Sequence, residues 1–321
     1  MPRPVNAIRA AYSFLSGTVT GNLSVAGMPL SVSAELTNHC NLSCPECASG
    51  SGLMKRGRGF MDVELYKSVI SELGPYLYNV NLYFQGEPML HPRFFSFPGL
   101  TGKIYSVVST NGHFLSAGNA ARLAGSGLKK LVVSLDGMDQ KTYSEYRRNG
   151  DFCKVTEGIK NVAEAIRLQG SPLRLEIQFL VNRVNEHQIP DVRKLARETG
   201  TLLRLKSMQV INSRESAKWM PASGKFSRYK EENGEFRIKS KLPNRCMRLW
   251  FNPVITWDGK VIPCCFDKDA EFVMGDLKQS SFRAIWNGPA FREFRSRILT
   301  GRDRIGICRN CTSGINPEIR R

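Results

Sequence analysis

The chain has 321 residues, 41% hydrophobic and 23% charged, a globular composition that argues against a disordered chain, a collagen repeat or a coiled coil. Its apolar runs are short, such as Leu131-Val132-Val133, and none approaches the roughly 20 residues of a membrane span. The net charge of +18 favours acidic partners: an acidic electron carrier, a phosphorylated substrate, nucleic acid or an anionic membrane. No run of five basic residues marks a nucleic-acid arm, and nucleic acid is not expected as a partner.

Residues 1–30 form an N-terminal extension. Within it, 7–15 mixes apolar residues with Arg9 and reads as a short amphipathic helix packed on the core. Peripheral membrane contact is the less favoured role for it. The stretch 10–15 is broken by Ser13 and too short for a secretory core, so a soluble cytoplasmic protein is expected. From residue 31 strand and helix signals alternate. Strands are expected at 31–37, 79–84, 104–110, 130–135, 173–181 and 202–210, with helices at 62–73 (Asp62 as N-cap), from about 116, at 155–168 and at 186–198. Six such β units predict an α/β fold with a parallel sheet, open or curled into a partial barrel, over residues 31–211. Residues 212–245 are polar and read as a linker or insertion. From 246 to 321 the text changes to a smaller α+β domain, with a hairpin turn at 257–260 and helices at 281–286 and 290–299.

Nine cysteines stand at 40, 44, 47, 153, 246, 264, 265, 308 and 311. Tight clusters in a cytosolic chain point to metal or redox chemistry, not to disulfides. Cys40, Cys44 and Cys47 have the spacing C-x3-C-x2-C; Pro45 inside the triplet argues for a loop over a helix face. Three thiolates in one loop can share a cubane cluster and leave one iron open. On these residues the chain resembles the radical S-adenosylmethionine (SAM) superfamily. The resemblance implies a partial (β/α)6 barrel resembling a TIM barrel. It also implies a catalytic 4Fe-4S cluster on Cys40, Cys44 and Cys47, with SAM on the open iron. In that family the residue before the third cysteine is often aromatic; here it is Glu46.

Further matches stand at the C-terminal ends of expected strands, where α/β folds bind ligands. Gln85-Gly86-Glu87-Pro88 resembles the family's Gly-Gly-Glu-Pro motif, which contacts the SAM ammonium; Gln85 replaces the first Gly. Ser109 and Asn111 follow the third strand, and Ser134 and Asp136 the fourth, with groups suited to ribose or carboxylate. Arg147, beside Arg148, resembles the arginine that pairs with the SAM carboxylate.

Cys246, Cys264, Cys308 and Cys311 are separated by 17, 43 and 2 residues. Four thiolates can close a site, and from spacing alone zinc and iron–sulfur both remain open. The pattern resembles the half-SPASM or twitch domain with one auxiliary 4Fe-4S cluster. No cysteine follows Cys311, so a single auxiliary cluster is expected. Cys265, beside Cys264, reads as a possible alternative ligand, a hydrogen donor or an inert neighbour; Cys153 is assigned a structural role.

The resemblance implies reductive cleavage of SAM to a 5′-deoxyadenosyl radical that abstracts hydrogen from a substrate. With an auxiliary acceptor the outcome is oxidative: dehydrogenation of a sugar- or cyclitol-type alcohol, or modification of a peptide. Lys206 and Glu176 are candidate bases and Cys265 a further catalytic candidate. An acidic flavodoxin or ferredoxin is the expected electron donor. The alternatives are a redox-neutral epimerase or an enzyme modifying a lipid or polysaccharide precursor. From another class, the alternative is a zinc-bearing nucleic-acid-binding protein, which leaves the three-cysteine loop unexplained.

Overall fold

The structure, a computed structural model, describes residues 2–211 and 216–312. The other positions, including the start of the expected linker at 212–215 and the end of the C-terminal domain at 313–321, lie outside the described residues. In chain order the elements begin with α1 (Arg3–Thr20), β1 (Ser31–Ala34), α2 (Val63–Leu73), β2 (Asn79–Asn81), α3 (Ser96–Leu100) and β3 (Tyr105–Thr110). They continue with α4 (Ala117–Gly125), β4 (Lys130–Ser134), α5 (Gln140–Tyr146), α6 (Phe152–Gln169), β5 (Arg174–Val181), α7 (Ile189–Glu198) and β6 (Leu202–Ser207). Then come α8 (Ser216–Trp219), β7 (Tyr229–Glu232), β8 (Glu235–Ile238), α9 (Met247–Phe251), β9 (Val254–Ile255), β10 (Lys260–Ile262) and β11 (Gly275–Asp276). The last are α10 (Phe282–Trp286), α11 (Pro289–Gly301) and α12 (Gly306–Arg309).

Two compact units are present: residues 2–39, 55–106 and 241–312 in the first, and 40–54, 107–211 and 216–240 in the second. In the first, strands run in the order β11-β10-β9-β1-β2. β1 pairs in parallel with β2 and with β9 (Ser33↔Val254), while β10 returns antiparallel on β9. The cysteine-rich C-terminal segment therefore extends the sheet that β1 begins, a join that no local signal carries. The turn expected at 257–260 links β9 to β10, with Gly259 at φ +91°.

In the second unit β3, β4, β5 and β6 are neighbours in parallel, in that order. Consecutive Leu131, Val132 and Val133 of β4 are buried, as suits a strand covered on both faces, and Ile177, Phe179 and Val181 bury one face of β5. Between the strands, helices start where short polar side chains cap them. In the first unit Asp62 Oδ1 accepts from Glu64 N at 2.7 Å; in the second Ser116 Oγ accepts from Asn119 N at 3.3 Å and Asp151 Oδ1 from Lys154 N at 3.0 Å. Glu176 on β5 is buried and joins three strands, with Lys130 Nζ at 2.6 Å and Arg204 Nε at 3.1 Å.

Two expectations need correction, the extent of the first helix and the role of Cys153. The helix expected at 7–15 runs over the whole of α1. The segment expected as a linker or insertion contains α8 and the β7–β8 hairpin. Asn233 and Gly234 turn that hairpin with φ +53° and +79°, the Asn-Gly signature of a type I′ turn. Cys153, expected in a structural role, is exposed at the start of α6. Among the described residues no helix is long and apolar enough to cross a membrane.

His113 follows β3 and fastens it to α6. Its Nε2 accepts the Asp151 N–H at 2.9 Å, so the ring is neutral and Nδ1–H faces Asn111 Oδ1 at 3.1 Å. Burial, with Lys154 and Arg147 nearby, holds its pKa below the usual value. A histidine depressed in the folded state binds its proton more readily unfolded. Stability should be full above about pH 6.5 and fall as the pH drops below it, by up to about 1.4 kcal/mol per pH unit for this group. Urea unfolding between pH 7.5 and 5.5 should show this slope, and His113→Asn should flatten it. An equal slope in the variant would refute the assignment.

Candidate functional site

In the second unit the segment from residue 40 to 50 is irregular, as Pro45 requires. Cys44 is buried and Cys40 and Cys47 are half-buried. The three pack with Leu42, Tyr146, Met208 and Trp219. Gly50 folds back on the loop so closely that a Cβ would stand 2.6 Å from Cys44 N. Further bonds hold the loop: Ser43 N donates to Arg148 O at 3.1 Å and Asn149 Nδ2 to Ser43 Oγ at 3.1 Å. From the end of β3, Asn111 Nδ2 donates to Asn41 Oδ1 at 2.8 Å and approaches Cys40 Sγ at 4.0 Å. Glu46 is buried, and its carboxylate accepts from Ile211 N at 2.6 Å.

Asp136, just beyond β4, is buried. It pairs with Arg147 (Nη2 to Oδ2, 2.6 Å) and accepts from Leu180 N at 2.7 Å. Arg147 Nη1 lies 3.9 Å from Cys44 Sγ. Burial pushes the Cys44 thiol up to about 12; Arg147 pulls against that, and Cys47 and Cys40 add to it. A thiol so placed ionises only beside more positive charge than one guanidinium supplies, and a bound metal centre would supply it. Ser134 is buried and Ser109 half-buried at the ends of β4 and β3. Lys206 stands in register with Leu180, which packs on the cysteine group. Glu176 stands four positions before Leu180 on β5, towards the opposite strand end, locked between Lys130 and Arg204. A groove of about 930 Å³ lies near the start of β6, between Arg193, Arg197 and Phe226, at the strand end opposite to the cysteines.

In the first unit Gly86 has φ +75°, and a Cβ would stand 2.6 Å from His39 O, so only glycine fits. Glu87 is buried; its N–H donates to His39 O at 2.7 Å and its Oε1 accepts from Met89 N at 3.0 Å. Pro88 is buried and Gln85 half-buried. Sequence reasoning missed Glu35 and Arg56. Glu35, buried just after β1, forms a bidentate pair with Arg56 and accepts from Trp257 N at 3.3 Å and from the Gln85 N–H. A lone acid inside strand text was the available signal.

Cys246, Cys264, Cys308 and Cys311 are all buried in this unit. Cys311 N donates to Cys308 O at 3.0 Å, closing the C-x2-C turn. Burial raises the Cys264 thiol well above its usual value, with Cys265, Cys246 and Cys311 adding to it. Cys308 rises to about 11 from burial. Two arginines face these thiols: Arg302 Nη2 donates to Cys311 Sγ at 3.3 Å and Arg248 Nη1 to Cys265 Sγ at 3.5 Å. Arg302 is fully buried and also donates to Arg245 O at 2.8 Å. Among the described residues no three His, Cys, Asp or Glu side chains are placed around a single metal ion. A cubane spreads its thiolates wider than one ion does, so that spacing bears on a lone ion and not on a cluster. Buried thiols with N–H donors on sulfur are the donor set that a cluster takes.

The radical SAM superfamily model matches residues 34–195, and the SPASM iron–sulfur cluster-binding domain matches residues 246–312. Mycofactocin maturase MftC of Mycobacterium ulcerans is 32% identical over 180 residues, covering 55% of this chain and 47% of that one. The chain thus spans about half the length of that relative. The S-adenosyl-L-methionine-dependent 2-deoxy-scyllo-inosamine dehydrogenase of Niallia circulans is 22% identical over 289 residues, 88% of this chain and 92% of the relative. Streptococcus suis SuiB bound to S-adenosylmethionine has the same fold, with TM-score 0.67 at 14% identity over 97% of this chain and 78% of that one. That likeness identifies a partial barrel followed by a small C-terminal domain. With the core model covering half of its length, this chain belongs to the radical SAM superfamily, whose core implies SAM and a 4Fe-4S cluster, and it carries a SPASM domain, which implies auxiliary iron–sulfur binding.

Proposed function

We propose that the chain is a radical SAM oxidoreductase. In this reading Cys40, Cys44 and Cys47 ligate the catalytic cluster, and Cys246, Cys264, Cys308 and Cys311 ligate one auxiliary 4Fe-4S cluster of the twitch type. The observation that carries it is the contrast between the two groups. Three thiols stand in a loop with two of them half-exposed, as an iron open to SAM requires, and four thiols are buried together, as a closed electron-transfer cluster requires. When bound, SAM and the reduced cluster supply a 5′-deoxyadenosyl radical that takes a hydrogen atom from the substrate. The protein's own tasks are to orient and to exclude water. Asp136 holds Arg147 at Cys44, so one fixed cation offsets part of the thiolate charge. Asn111 fixes the loop beside Cys40, and Ser109 and Ser134 offer hydroxyls to SAM at adjacent strand ends.

The overall reaction we propose is a two-electron oxidation of a sugar- or cyclitol-type alcohol or of a peptide. Bound SAM and an auxiliary cluster would supply acceptors for one hydrogen atom and one electron, which leaves this chain's own side chains to take the proton. Lys206, in register with Leu180, is suited to the base; Glu176 is committed to two cations. The name of the Niallia circulans relative supports an alcohol substrate. The charge of +18 supports an acidic flavodoxin or ferredoxin as reductant.

Anaerobic protein given SAM and dithionite should release 5′-deoxyadenosine. Serine at Cys40, Cys44 or Cys47 should reduce that to background, whereas Cys153→Ser should not. Lys206→Met should form deoxyadenosine without oxidised product. Normal release from a Cys44 variant would sink the reading. A second experiment addresses Arg302. Hydrogen bonds to sulfur raise a cluster's potential, so Arg302→Leu should lower the midpoint of one EPR-detected cluster, with Arg302→Lys in between. Unmoved midpoints in both folded variants would remove Arg302 from the cluster's surroundings.

A further inference from the structure

Helix α1 is turned inside out. An ordinary surface helix buries its large apolar side chains. This one buries Asn6, Ala10, Ser13 and Gly17. Val5, Ile8, Tyr12, Leu15 and Val19 are 41%, 70%, 64%, 58% and 81% exposed. At 100° per residue these five, with the exposed Pro4 and Ala11, fill one arc of about 120° that contains no charge. The arrangement is fixed by its inner face. Asn6 Nδ2 donates to Met28 O at 3.0 Å, and its Oδ1 accepts from Met28 N at 2.8 Å. Ser13 Oγ accepts from Ala26 N at 2.9 Å. Gly27 lies so close that a Cβ there would stand 2.5 Å from Ala10 N, and one on Gly17 would stand 3.0 Å from the Trp250 ring. The helix cannot roll its apolar arc inward without breaking all of these.

We infer that this face of α1 docks on an anionic lipid bilayer, whatever reaction the cysteines support. Charge complementarity chooses the occupant. The first 34 residues contain no Asp or Glu, Arg9 is exposed at the border of the arc, and the chain carries +18. Anionic headgroups attract such a surface while the acyl boundary takes the apolar side chains, and Tyr12 suits the level between them. A second copy fits less well. Seven side chains on one helix fall short of the roughly 20–30 residues a side of a stable interface, and two chains of the same large charge repel each other.

The test is flotation of the anaerobic, cluster-loaded protein with vesicles of phosphatidylcholine alone or mixed with phosphatidylglycerol. The protein should float with the anionic vesicles and much less with the neutral ones. Ile8→Ser/Leu15→Ser should lower the partition coefficient about tenfold or more, and Arg9→Glu should lower it further. All three substitutions are on exposed positions, so iron content and deoxyadenosine release in solution should be unchanged. Failure of the unaltered protein to float would overturn the inference, as would equal flotation of the double variant, since other basic surface would then hold the lipid. A dimer in sedimentation that the double variant abolishes, without vesicle binding, would assign the face to a second copy instead.

Discussion

A thiol buried among other thiols cannot release its proton unless positive charge arrives with the event. Cys44 is in that position, with Cys40 and Cys47 adding to the penalty and Arg147 alone opposing it. The surrounding structure follows from this imbalance. Arg147 is not free to wander, because buried Asp136 grips it, and Asp136 is held in turn by the Leu180 N–H. Tyr146 and Trp219 keep water from the thiols on one side. A single cation pre-placed at the sulfurs lowers the cost of three thiolates without cancelling it, and the remainder is what makes the loop a cluster site.

The first unit handles the same problem with other means. Four thiols are buried there, and the arginines that face sulfur come from different places in the chain, Arg248 on α9 and Arg302 after α11. Glu35 takes its bonds from Arg56, Gln85 and Trp257, which lie far apart in sequence. This carboxylate locks the start of the 85–88 turn and the β9–β10 turn to the strand that precedes the three-cysteine loop. Removing one partner of so buried a pair costs more than an exposed ion pair ever contributes.

What was legible in the sequence was what local chemistry decides. Asp62, Ser116 and Ser281 announce helix starts because their side chains satisfy the first N–H groups, and each does so. Pro45 excludes a helix through the three cysteines, and the segment is a loop. The parallel β units appear where apolar strand text alternates with helical text. Other features depend on partners distant in sequence. β9 joins β1 edge to edge, and nothing in Val254-Ile255 says so. The β7–β8 hairpin did carry a local signal, Asn233-Gly234, which polar surroundings obscured. Trp219 is one of four aromatics in that polar stretch and carries no signal that sets it apart, yet it walls the cysteine group. Helix α1 misled for a different reason: amphipathicity shows that a helix has two faces, but not which face the protein covers.

The two cysteine groups make one claim together, an open catalytic cluster and a closed auxiliary one in the same chain. The most direct test is the iron and acid-labile sulfide content of protein purified without oxygen. The account predicts about eight irons and matching sulfide per chain, falling to about four when Cys264 and Cys308 are both replaced. About four irons with one zinc in the unaltered protein would contradict it, because the buried quartet would then hold no electron acceptor.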